Sequence, residues 1–123
     1  MNMILQAIFN HGHKQKLDIA IIVDGVEHTY KDLYDDVVER VQGIDNDNCI
    51  TSIINGKRHI IFIDTESVYE QLILWLAALH RGYIPIVSHP HMDNTYRSRL
   101  IRLLGSIDIP IEAQFGVLTS GTT

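Results

Sequence analysis

The stretch HIIFIDTESVYEQLILWLAALHRGYIPIV, residues 59–87, decides the fold of this chain. Its opening run, His59–Asp64, is continuously apolar and rich in β-branched side chains, the pattern of a strand covered on both faces and paired in parallel. A helix is predicted from Glu66 to Arg81, closed by Gly82 in the left-handed cap conformation. Tyr83–Val87 (YIPIV) then reads as a second strand. Strand, helix and strand within about 30 residues make a βαβ crossover, whose right-handed connection returns the chain parallel to its start.

Upstream of this unit, Ile19–Val23 (IAIIV) is a β-branched apolar run, followed by Asp24-Gly25 and then Val26-Glu27-His28. Asp-Gly between two such runs is a strong short-range hairpin signal. Thr29 is placed as an N-cap, with Asp32 three residues on as a partial capping box. The helix that follows carries Leu33, Val37, Val38 and Val41 at helical spacing, and Gly43 with the polar residues 45–48 ends it. Met3–Asn10 reads as a short amphipathic helix. Ile50–Ile54 reads as a short strand before a tight turn at Asn55-Gly56. Downstream, Asp93 or Asn94 caps a helix bearing Tyr96, Leu100, Ile101, Leu103 and Leu104, ended by Gly105. Phe115–Leu118 (FGVL) is a last short strand.

Composition sets the class. The chain has 123 residues, 46% hydrophobic and 20% charged, a mixture that buries a core. One cysteine, Cys49, excludes an internal disulfide framework and implies a reducing, cytoplasmic setting. The net charge of -5 argues against a nucleic-acid partner, whose binding rests on basic phosphate contacts. Residues 1–56 hold 4 Lys/Arg against 9 Asp/Glu, so the acidity is concentrated there, largely at Asp32, Asp35, Asp36 and Glu39 on a solvated helix face. The longest apolar run, Leu72–Leu79, is far short of the roughly 20 residues a membrane span needs. It is apolar on every face, however, and one small sheet covers only one side of a helix. Its remaining face predicts self-association, or cover by further chain or a partner.

The chemistry-bearing segment is Val117-Leu118-Thr119-Ser120-Gly121-Thr122-Thr123. An apolar strand end runs into hydroxyls around one glycine. Thr and Ser hydroxyls donate to phosphate oxygens, and glycine lets backbone N–H groups approach an anion closely. No lysine follows, so this is not the Walker A loop. On physical grounds alone, a polar terminal tail is the other reading of these residues.

Leu118–Thr123 resembles the first half of the phosphate loop T-S-G-T-T-G-x-P-K of the adenylate-forming ligases, which include acyl-CoA synthetases and peptide-synthetase adenylation domains. Two upstream segments are similar to that family in the same order. Ala20–Tyr34 (AIIVDGVEHTYKDLY) looks like its early A-x-x-x-D-G…T-Y-x-E-L segment, and Leu74–Pro90 (LWLAALHRGYIPIVSHP) like its L-A-x-L-x-A-G…P-L-x-P segment. The Gly82–Pro85 spacing and the stretch from Pro90 to Thr119 are shorter than the family's. The loop's remaining glycine, proline and lysine do not occur within the 123 residues.

The resemblance implies a partial N-terminal subdomain of an AMP-binding domain over residues 1–123, of α/β class, with a mostly parallel sheet and helices packed on it. It implies ATP and Mg²⁺ in the full enzyme. A carboxylic acid substrate would attack the α-phosphate to give an acyl-adenylate, which coenzyme A or a carrier-protein thiol would then take up. Thr119, Ser120, Gly121, Thr122 and Thr123 would hold the β- and γ-phosphates, none acting as acid, base or nucleophile. Such a segment is expected to be inactive alone. The rival expectation is a self-standing, non-enzymatic α/β module that binds a partner through its apolar helix.

Other constellations are weaker. His11-x-His13 and His89-x-His91 offer imidazoles without a companion Cys or carboxylate ligand. Cys49 has no basic neighbour in sequence to activate its thiol. Ser88, His89 and Asp93 make a triad on paper without a nucleophile elbow. Arg97, Arg99 and Arg102 form a small basic helix face.

Overall fold

The computed structural model describes residues 6–8, 10–11, 17–88 and 92–118. Strand β1 (Ile19–Val23) and strand β2 (Val26–Thr29) form an antiparallel hairpin joined by Asp24-Gly25. Asp24 has φ 51° and Gly25 φ 78°, so both central residues lie in the left-handed region that a type I′ turn demands. Helix α1 (Tyr30–Gly43) starts directly from β2. Thr29 accepts from the Asp32 N–H at 3.1 Å, and the Asp32 carboxylate accepts from the Thr29 N–H at 3.2 Å. Aspartate thus completes the capping box that glutamate more often provides. The helix buries Leu33 and Val37, then tightens into a 3₁₀ turn at Ile44–Asn46 with Ile44 fully enclosed.

The remainder is built around the 59–87 segment. Strands β3 (Ile50–Asn55) and β4 (Arg58–Ile63) are antiparallel, and β5 (Ile84–Val87) pairs in parallel with β4, giving the order β3-β4-β5. Helix α2 (Val68–His80) makes the crossover from β4 to β5. It begins at Ser67, whose hydroxyl accepts from the Glu70 N–H at 3.2 Å. It ends in a Schellman motif: Gly82, φ 75°, donates to the Leu79 carbonyl and Tyr83 to that of Ala78. Helix α3 (Asn94–Leu104) starts at Asp93, which accepts from the Tyr96 N–H at 2.8 Å.

Two apolar clusters place the helices. Ile61 and Ile63 on one face of β4 pack with Ile73, Leu74, Leu76 and Leu79 of α2 and with Leu33 and Val37 of α1. Ile60, Phe62, Ile84 and Ile86 on the other face pack with Ile53 and with Leu104 of α3. The sheet is therefore sandwiched, with α2 and then α1 on one side and α3 on the other.

The α/β class and the βαβ unit are as the sequence predicts; three expectations change. The sheets are not mostly parallel: of the three described strand pairings only β4–β5 is parallel. Ile50–Ile54 is close enough to β4 in sequence that a two-residue loop folds it back antiparallel, which parallel pairing cannot do. That turn is centred on Gly56-Lys57, one residue later than expected, with Gly56 at φ 61° and Asn55 paired to Arg58. Asn55 is instead engaged by its side chain, whose Nδ2 donates to the Leu104 and Ile107 carbonyls, each at 2.8 Å, at the end of α3.

The third change concerns the apolar helix. No residue of Leu72–Leu79 is exposed; Leu72 and Trp75 are half-buried and the rest buried. Helix α1, a layer removed from the sheet, covers the face that the sequence leaves open. Exposed apolar side chains lie elsewhere, at Leu17, Ile22, Val26, Ile54, Ile111 and Val117.

Candidate functional site

In an open α/β sheet, ligands bind outside the carboxyl ends of strands where successive connections leave on opposite faces. The described residues contain one such point. The connection after β4 leads to α2 on one face, and the connection after β5 leads to α3 on the other. The N-termini of α2 and α3 consequently lie at the same edge, and their dipoles favour negative charge there. Both ends carry their own acceptors, Ser67 and Asp93.

Between them, Asp64 and Thr65 directly follow β4, and the buried Ser88 directly follows β5. Asp64 Oδ2 lies 3.1 Å from Arg97 Nε, an ion pair whose side chains are 42% and 27% exposed. The contact is electrostatic more than directed, because the carboxylate sits off the Nε–H axis. Arg97 also donates to Asn94 Oδ1 at 2.9 Å and to the Met92 carbonyl at 3.4 Å. Its guanidinium thus ties the first turn of α3 to the end of β4. The basic helix face read from sequence is split: Arg97 turns inward, while Arg99 and Arg102 remain exposed.

A segment reaches this sheet from the C-terminal side. The Gly116 N–H donates to the Pro85 carbonyl at 3.0 Å. Phe115 meets Trp75 of α2, ring centroids 5.5 Å apart, while Gly116 lies against Ile86 and Leu118 joins the α3-side cluster. That alternation is the period of extended chain. The expected strand at Phe115–Leu118 is accordingly extended beside β5 but belongs to neither described sheet. Arg58 fixes the approach by donating to the carbonyls of Pro110, Ile111 and Ala113. Thr119, Ser120, Gly121, Thr122 and Thr123, the phosphate-holding residues expected from sequence, follow Leu118 and lie outside the described residues.

The remaining candidates are dispersed. His13, His89 and His91 also lie outside the described residues. His11 stands 3.8 Å from Asp18 and rests against the Tyr30 ring. No group of three or more metal-ligating side chains occurs among the described residues. Of the paper triad, Asp93 is engaged as the α3 cap.

Cys49 belongs to a polar junction that only the fold assembles. Arg40 of α1 donates to Asp47 at 2.6 Å and to Glu70 at 2.7 Å. The Asp47 carboxylate also accepts from the Cys49 N–H at 2.9 Å, and Glu70 accepts from Cys49 Sγ at 3.7 Å and Thr65 Oγ1 at 3.3 Å. Burial, then the Glu70 and Asp47 charges, push the Cys49 thiol up from its ordinary range, which favours the protonated form over the nucleophilic thiolate. The acidic face of α1 is only partly solvated: Asp36 accepts from the Tyr69 hydroxyl at 2.6 Å, and His28 stacks on the Tyr69 ring at 3.8 Å.

Sequence reasoning missed Asp64 and Arg97 as a pair, although an acidic residue just past a buried strand is the available signal. No family model, curated protein or solved structure matches the chain. No helix among the described residues is long and apolar enough to cross a membrane.

Proposed function

We propose that this chain is the N-terminal part of an adenylate-forming ligase of the acyl-CoA synthetase type, acting in the cytoplasm, with Thr119–Thr123 holding ATP phosphates. The observation that carries this reading is the extended Phe115–Leu118 segment beside β5, which leads the chain from a sheet into a run of hydroxyls. The Asp24-Gly25 hairpin leading into a Thr29-capped helix, followed by the βαβ unit, supports it as the order of elements that the matched segments require.

Chemically, the five-residue run suits phosphate. Three threonine hydroxyls, one serine hydroxyl and the backbone N–H groups around Gly121 are donors, and none carries a negative charge. They would hold the β- and γ-phosphates while a carboxylic acid attacks the α-phosphate, stabilising the pyrophosphate as it leaves. The run offers no carboxylate for Mg²⁺, so no step is assigned to a metal held there. Adenylation of the acid, and transfer of the acyl group to coenzyme A or to a carrier-protein thiol, both belong to the whole enzyme. The purified chain should therefore catalyse no ATP–pyrophosphate exchange.

The test has two arms. Titrating ¹⁵N-labelled chain with pyrophosphate should shift amide resonances of Thr119–Thr123, and an unchanged spectrum at saturating pyrophosphate would overturn the phosphate role. The genomic reading frame should continue after Thr123 with Gly-x-Pro-Lys; a frame without it refutes the ligase assignment.

A further inference from the structure

Strand β3 is the free edge of the three-stranded sheet, and its hydrogen-bonding pattern is determined by its partner. The Asp64 N–H donates to the Cys49 carbonyl at 2.7 Å, in the same register that pairs Asn55 with Arg58 across the two-residue turn. Residues 49, 51, 53 and 55 therefore turn their backbone groups toward β4, and Ile50, Ser52 and Ile54 turn theirs outward. The Ile50 N–H is already bound to the Asp47 carbonyl at 3.4 Å, and the Ile54 carbonyl lies against Gly105. What remains, among the described residues, is two donors, Ser52 N–H and Ile54 N–H, and two acceptors, the Ile50 and Ser52 carbonyls.

These four groups match a copy of themselves. We propose that β3 pairs antiparallel with β3 of a second copy of this chain, about a two-fold axis at Ser52. In that register Ser52 N–H and C=O exchange both bonds with Ser52 of the second copy. Each Ile54 N–H then donates to the Ile50 carbonyl across the axis, so every free donor is used and the obstructed Ile54 carbonyl is not needed. Side chains agree. Ile54, 63% exposed, meets Ile50 of the other copy, and β3 (ITSIIN) carries no charge that would face itself.

Apart from the cover at the Ile50 N–H and the Ile54 carbonyl, the edge lacks the side-chain and bulge features that keep edges apart. It has no Lys and no Pro, and its six pairs with β4 run without a bulge. The result is a continuous six-stranded sheet with one isologous interface. Such pairing is independent of the ligase reading.

Sedimentation of the full chain should show a concentration-dependent rise from 14.0 kDa toward twice that mass. Ser52→Pro removes an outward N–H and no bond to β4, so it should leave the circular dichroism spectrum unchanged and hold the chain monomeric. Ser52→Ala, which keeps the N–H and loses only the hydroxyl contact with His59, should dimerise as the parent does. A parent monomeric at every concentration, or a folded Ser52→Pro variant that still dimerises, would overturn the proposal. Hydrogen exchange on the unmodified chain tests the same pairing without a substitution. The Ser52 and Ile54 amides should gain protection in concentrated samples and lose it on dilution; protection independent of concentration would count against pairing.

Discussion

Adding one methyl group at Gly116 should weaken the junction that leads into the candidate phosphate run. A Cβ there would stand 2.7 Å from Ile86 Cγ1 and 2.9 Å from Ile86 Cδ1, closer than carbon atoms pack. Ile86 is buried, 5% exposed, between β4 and α3, so it cannot swing into solvent. Two opposing terms set the outcome. Gly→Ala reduces the freedom of the unfolded chain and stabilises by about 0.4–1 kcal/mol where the native conformation accepts it. Overpacking a filled interior costs about 1–3 kcal/mol. The overlap makes the second term larger, and Gly116→Ala should destabilise by about 1–2 kcal/mol.

A double-mutant cycle separates this clash from a backbone effect. Ile86→Ala alone should cost about 2–4 kcal/mol, because it empties a buried site. In the double variant the new methyl enters the vacated space, so the combined loss should fall short of the sum by about 1 kcal/mol or more. Urea unfolding of the four proteins, with slopes unchanged, measures this coupling. Additivity to within about 0.5 kcal/mol, or a Gly116→Ala chain as stable as the parent, would refute the close approach of this segment to β5.

Two further predictions concern the polar contacts. Arg40→Met should cost about 2–3 kcal/mol, since it strands Asp47, only 10% exposed, and Glu70 without their cation; a urea midpoint within error of the parent would show that the junction is solvated. The Tyr69 phenol is held above its usual 10.0 by burial, then by its bond to Asp36 and that carboxylate's charge. Below pH 10 the phenol is protonated in both folded and unfolded chains and its contribution is complete. Above it, only the unfolded chain releases the proton, so stability falls as pH rises. Tyr69→Phe should flatten that alkaline decline, as followed by urea midpoints across the range; parallel declines in both proteins would place the effect elsewhere.

Local chemistry was legible because its partners are close in the chain. Asp24-Gly25 demands positive φ, Thr29 and Asp32 lie one turn apart, and Gly82 follows the last apolar position of α2. The βαβ unit was legible for the same reason: a buried strand, a helix and a second strand follow one another without interruption. The candidate hydroxyl run was equally visible as a sequence pattern.

The tertiary structure decided what distant residues do together. Arg40, Cys49, Thr65 and Glu70 form one junction, although nothing near Cys49 in the chain announces a cation or a second carboxylate. Arg97 leaves its basic neighbours for Asp64 because β4 and β5 bring the end of one strand beside the start of α3. Helix α2 is apolar all round because α1 covers the face away from the sheet. The direction of β3 depends on a turn one residue beyond the Asn55-Gly56 signal, where Asn55 is held by the carbonyls at the end of α3. By itself the sequence determined elements, caps and turns, whose energies depend on neighbours within a few residues. Faces, ion pairs and the free edge at Ser52 required the fold, because they depend on which surfaces remain once the elements have packed.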